Sequence, residues 1–211
     1  MSQQQEKAPP EEPRYQRRKE DRPREIAEAA FEVFAEKGYA AARIDEVAKR
    51  AGVSKGLTYL YFKTKEELFK AVIRGVVVRR VDTLIDTLES STLSSEAFLR
   101  GPMLDFMKRV PGSRISVVVR LLMAEGHRHP DLVEYYYDNV VARGLETMKL
   151  FLDRGVERGE FRPSAVNELP QLILAPMMLS VIWKMLFTSR SLDTDKLIAT
   201  HVDLVLDHIR A

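Results

Sequence analysis

The chain has 211 residues, no cysteine and a formal net charge of +2. That length can bury a core without a covalent staple, and the missing thiols exclude disulfides, thiolate metal sites and cysteine catalysis. The usage fits a reducing compartment, so a cytoplasmic setting is expected, and a balance this near neutral leaves any nucleic-acid function to local charge placement.

Residues 1–22 are rich in Gln, Glu, Pro and Arg, with almost nothing apolar, and are expected to form a flexible tail without the apolar stretch of a signal peptide. Asp21 and Pro23 then read as a helix start, with proline in the first turn. Ile26, Ala27, Ala30, Phe31 and Phe34 make one apolar stripe, which Gly38 ends. Ile44, Val47, Ala48 and Ala51 give a second, two-turn helix that Gly52 closes. Ser54 is placed to cap a third short helix reaching Tyr61 or Phe62, and Thr64 a fourth, with Glu67 at the capping-box position. Helix, three-residue turn, helix is the layout of a DNA-binding helix-turn-helix.

Beyond residue 64 the periodicity predicts long helices over about 65–89, 95–109, 113–126, 130–158, 168–188 and 194–210, separated by turn residues such as Pro111-Gly112 and His129-Pro130. The longest apolar run, LILAPMMLSVIW at 172–183, falls short of the roughly 20 residues of a bilayer span and contains Pro176, so a buried helix is expected and no membrane partner. Glu125, His127 and His129 run into Pro130 without a second carboxylate cluster, and no metal or other cofactor is expected.

RIDEVAKRAGVSKGLTYLYFKTKEEL, residues 43–68, resembles the N-terminal domain of TetR/AcrR-family transcriptional regulators, and the match extends from Arg24 to Leu68. The resemblance implies a recognition helix over 54–61 that enters the major groove as half of a symmetric dimer. By matching positions, Lys55, Gly56, Leu57 and Tyr59 face bases, and Tyr59, Tyr61 and Lys65 contact phosphates. Ser54, Lys63 and Arg43 complete the expected DNA-binding set. Lys49 and Arg50 read as solvated charges, which is also the alternative reading of Lys63.

Two positions depart from the family pattern. Ala42 stands where the family favours a threonine cap, followed by Arg43. Leu57-Thr58 reverses the usual Thr-Leu order. Either Thr58 turns inward toward Phe62 and bonds back to the Ser54 carbonyl, leaving Leu57 to meet a thymine methyl, or the helix rotates to bury Leu57.

Residues 120–163 resemble the C-terminal domain of one branch of the same family, which implies a ligand-binding and dimerisation domain. Met103, Phe106, Met123, Tyr136, Asn139, Met177 and Trp183 are candidates to line an effector cavity, with ordinary core packing the alternative for each. Leu172, Met178, Leu179, Ile182, Met185, Leu186, Val202, Val205 and Ile209 are candidates for a four-helix dimer interface, against burial inside one subunit.

The expected fold class is therefore all-α: a tail at 1–22, a helix-turn-helix domain at 23–67, and an effector-binding and dimerisation domain at 68–211. The expected function is a ligand-responsive regulator, most readily a repressor, that binds a palindromic operator on double-stranded DNA as a homodimer and answers to a small apolar or amphipathic effector. No nucleophile or acid/base constellation suggests an enzyme. The alternative is a helical adaptor of the same fold with impaired or lost DNA binding.

Overall fold

The computed structural model describes residues 14–211, and among these the chain is helical throughout, with a single isolated bridge between Phe161 and Arg210. Helix α1, Arg14–Ala41, is broken at Gly38, whose φ of 79° is open to glycine and strained for other residues. Helices α2 (Ile44–Arg50) and α3 (Lys55–Tyr61) complete the head. Helix α4 runs through 65–90, α5 through 95–109, α6 is Arg114–Glu125, and α7 runs through 130–157. One helical turn, Ala165–Glu168, leads into α8 (Gln171–Leu186) and α9 (Thr194–Ile209).

The expected helix start at Pro23 is corrected. The helix already runs from Arg14 and carries Pro23 inside it, because Arg, Gln, Lys and Glu are strong helix formers and a proline removes only one backbone bond. The tail expected over 1–22 otherwise lies outside the described residues.

Three long helices contain a wide, π-type turn: Arg74–Val78 in α4, Leu99–Met103 in α5 and Tyr137–Ala142 in α7. The second holds Pro102, whose ring a tighter turn would crowd. In α8, Pro176 has no N–H for the Leu172 carbonyl four residues back. His201 of α9 donates from Nε2 to that carbonyl at 2.6 Å, and the Ser180 hydroxyl donates to the Pro176 carbonyl at 2.7 Å. The helix therefore passes its proline without an orphaned acceptor.

Two cores hold the molecule. The first joins Ile26, Phe34, Tyr39, Phe62, Leu68 and Phe69 of the head and early α4 to Ile115, Val118, Leu132, Val140 and Val181 of the body. The second, around Phe98, Met107, Phe151, Leu152, Ile198 and Leu206, lies at the far end. The head is thus packed onto the body through one continuous apolar cluster.

Candidate DNA-reading head and effector cavity

Local chemistry places α3. Gly52 takes a left-handed φ of 64°, which tightens the turn after α2. Ser54 Oγ accepts from the Leu57 amide at 3.1 Å, and Thr64 Oγ1 accepts from the Glu67 amide at 3.1 Å. Both expected caps are formed.

Thr58 is fully buried, its hydroxyl donating to the Ser54 carbonyl at 3.3 Å, with Phe62 buried one turn later. Leu57 is only partly covered. Of the two arrangements open in the sequence, the structure has threonine inward. The exposed face then holds Lys55, Gly56, Tyr59, Leu60 and Lys63. Leu60, 65% exposed, was missed by matching family positions. The spacing could have found it, since it lies four residues after Gly56, on the same face of α3.

Lys65 requires a correction. Its ammonium donates to the carbonyls of Tyr39, Ala40 and Ala42 at 2.9, 3.1 and 3.3 Å and sits 4.6 Å from the centre of the Tyr39 ring. An ammonium has three protons, and three acceptors at the end of α1 engage them, so the side chain is a cap for that end instead of a free phosphate ligand. Arg50 is likewise no solvated charge: it grips the Glu36 carboxylate with two nitrogens, the longer contact being 2.8 Å, and ties α2 to α1. Lys55 is exposed but reaches Asp45 at 2.8 Å, which raises its pKa.

Arg43, and not Ala42, is the N-cap of α2. Its amide donates to the Glu46 carboxylate at 3.3 Å, which replaces half of a capping box, while Ala42 is buried. Arg43, Ser54 and Lys63 are exposed and Tyr61 is partly buried.

Above the head, the body encloses a cavity of about 620 Å³ between α4, α5, α6, α7 and α8. Of the sequence candidates, Met103, Phe106, Met123, Tyr136 and Met177 line this cavity. Two candidates do not. Asn139 turns its amide back onto the Tyr135 carbonyl at 2.9 Å, and Trp183 stacks on Phe187, with Nε1 donating to the Arg190 carbonyl at 3.2 Å. Both polar groups found acceptors within their own stretch of chain. The wall also includes Val77, Val81, Val119, Leu145, Gln171 and Leu174, which composition alone could not separate from core. Each wide turn contributes a wall residue: Val77 from α4, Met103 from α5, and Val140 with Val141 from α7.

The α6–α7 corner meets the head. The His129 ring lies 4.8 Å from that of Tyr39, edge to face, and its Nδ1 is 3.8 Å from a Glu66 oxygen. The Glu66 carboxyl is held below its usual range by its own backbone amide, Thr64, Tyr39 and His129. No cluster of three metal-ligating side chains occurs among the described residues.

On α8 and α9, Leu172, Met178, Leu179 and Leu186 are exposed, and Ile182, Met185 and Val205 are half-buried. Val202 and Ile209 are corrected: both are buried in the second core of their own chain, because they lie on the α9 face turned toward it. Leu204 of α9 and Phe187, just past the end of α8, are also exposed and were not anticipated.

Residues 26–72 match the family model for bacterial regulatory proteins of the tetR family, and residues 96–205 match that for the tetracyclin repressor-like C-terminal domain. A fatty acid metabolism regulator protein of Bacillus subtilis is 26% identical over 147 residues, covering 68% of this chain and 74% of that protein. The HTH-type transcriptional repressor KstR2 of Mycolicibacterium smegmatis is 28% identical over 163 residues, covering 75% and 77%. Among solved structures, a TetR-family regulator from Mesorhizobium loti superposes with a TM-score of 0.77 at 21% identity, covering 95% of this chain and 100% of that one. FadR from Bacillus subtilis, in complex with stearoyl-CoA, gives 0.72 at 20% identity over 89% and 99%. At these identities the structural likeness establishes the fold.

Proposed function

The chain belongs to the TetR family of bacterial regulatory proteins, and from that premise we propose that it is a homodimeric repressor that holds a palindromic operator until an apolar small molecule enters the cavity. As a member of this family it is a DNA-binding transcriptional regulator and not an enzyme. No described helix is long and apolar enough to cross a membrane. In this reading residues 23–67 read DNA and residues 68–211 bind effector and partner.

Helix α3 enters the major groove with Lys55, Gly56, Leu57, Tyr59 and Leu60 toward the base edges, the leucines meeting thymine methyls. Arg43, Ser54, Tyr61 and Lys63 meet the backbone, and Lys65 keeps the head in shape. The partner copy docks through Leu172, Met178, Leu179, Ile182, Met185, Leu186 and Val205.

The observation that carries the ligand response is that one helix serves both sites. Helix α4 places Leu68, Phe69 and Val72 in the core shared with the head and Val77, Val81 and Leu84 on the cavity wall. A ligand that displaces the wall therefore shifts the helix whose first turn fixes α3. Two heads that must match half-sites about 34–36 Å apart lose their fit together. The fatty acid metabolism regulator and the stearoyl-CoA complex among the relatives favour a lipid-like effector.

The test is a mobility-shift series on the DNA flanking the chain's own gene, over a range of salt. Sequence-selective binding with a steep salt dependence is expected. Absence of any DNA binding would favour the adaptor instead.

A further inference from the structure

The cavity wall is uniform in one respect. Among the described residues that line it, none is charged, and only Tyr136 and Gln171 carry polar side chains. Burial alone pushes the Tyr136 phenol up to about 12, with no charged neighbour contributing. Three of the charged residues flanking the wall are engaged elsewhere. Asp82, next to Val81, and Arg143, next to Gly144, pair with each other at 2.7 Å, and Arg120, next to Val119, reaches the Ala35 carbonyl at 3.4 Å. The exposed edge of the wall is also uncharged, being formed by Met123, Val133, Gln171, Ala175 and Met178.

An ion entering such a space gives up its hydration and finds no counter-charge, so its desolvation is uncompensated. A hydroxyl or ester needs only one or two hydrogen bonds, which the Tyr136 hydroxyl and the Gln171 amide can supply. We infer that the effector is electrically neutral over the whole part that enters the cavity: a long-chain alcohol, an ester or another neutral lipid, and not a carboxylate or a quaternary ammonium. The inference rests on the proposed effector role of this cavity and specifies the chemistry that role selects. At about 620 Å³ the space lies within the usual range for small-molecule sites.

The experiment is calorimetric titration of the full chain at pH 8 with three probes of equal chain length: decan-1-ol, decanoate and decyltrimethylammonium. Decan-1-ol is expected to bind at least about tenfold more tightly than either ion. Met123→Trp and Val133→Trp, both at exposed wall positions outside the proposed dimer face, should each weaken it at least about tenfold. Lowering the pH should tighten decanoate toward the alcohol as the neutral acid forms. If an ion binds as tightly as the alcohol, and the tryptophan variants weaken it, the neutral-effector inference is overturned while the cavity keeps its effector role. If no probe binds, or binding ignores both tryptophans, the effector role itself is overturned.

Discussion

The head and the body solve opposite problems. In the head, helices of seven residues are fixed at their ends by side chains: Ser54 and Thr64 cap, Arg50 clips α2 to α1, and Lys65 closes the end of α1. In the body the helices are capped as well, by Ser94, Ser113 and Asp193, but α4, α5 and α7 run on through wide turns at 74–78, 99–103 and 137–142, and each turn borders the cavity. A reading surface has to be held in one shape, whereas a ligand-responsive wall needs room and a helix that can shift. Helix α4 belongs to both regimes, regular up to Ile73 and wide just beyond it.

The largest effect is expected at the exposed face of the body. Leu179, 47% exposed, becomes a buried charge in a dimer if changed to Glu, and Leu179→Glu should give monomers with at least about a hundredfold loss of operator affinity. Val202, 2% exposed, instead sits in the chain's own core, and Val202→Glu should unfold the subunit. Light scattering with circular dichroism separates the two outcomes. A folded dimer of Leu179→Glu would break the assignment of this surface.

In the head, Lys65→Met tests whether that side chain is a cap or a phosphate ligand. The cap predicts a loss of about 2 kcal/mol in the urea midpoint analysis, because three carbonyls lose a charged donor, with the salt slope of DNA binding unchanged. A slope reduced by about one, with stability intact, would restore the phosphate role.

The body has a matching close-packed point. A Cβ on Gly155 would lie 2.3 Å from Phe161 Cδ2 and 3.1 Å from Ser95 Oγ. Gly155→Ala should cost about 1–3 kcal/mol through overpacking, read from the urea midpoint. An unchanged midpoint would show that Phe161 and Ser95 give way to the added methyl group.

The smallest effect concerns acid. Arg210 and then Arg100 hold the Glu96 carboxyl down to about 2, linking α5 to the end of α9. A depressed carboxyl stabilises the fold above its unfolded value of about 4.5, and that contribution is lost as pH falls from there toward 2. The pair is largely solvated, so the expected loss is ~1 kcal/mol or less, seen as a shallower acid slope in Glu96→Gln. An identical slope would show the pair to be energetically silent.

Much of this was legible in the sequence for physical reasons that differ by region. Caps, the Gly38 and Gly52 breaks and the long helical periods are local, so Ser54, Thr64 and the run through 65–90 could be read residue by residue. The direction of Thr58 could only be posed as a choice, because face assignment in a seven-residue helix depends on what packs against it. The cavity was half legible. Met103, Phe106, Met123, Tyr136 and Met177 line it, but apolar wall and apolar core share one composition, and Asn139 and Trp183 found local acceptors that no spacing announces. Lys65 misled because a lysine beside a recognition helix suits a phosphate and a carbonyl cluster equally well.

The central claim is that α4 transmits occupancy of the cavity to the reading heads. It is tested most directly by measuring operator affinity of the full chain with and without saturating decan-1-ol, in the parent and in Met123→Trp. The account predicts at least about a tenfold loss of affinity on adding ligand to the parent and no response to ligand in the variant. Operator affinity that stays constant while calorimetry shows the ligand bound in the cavity would contradict it.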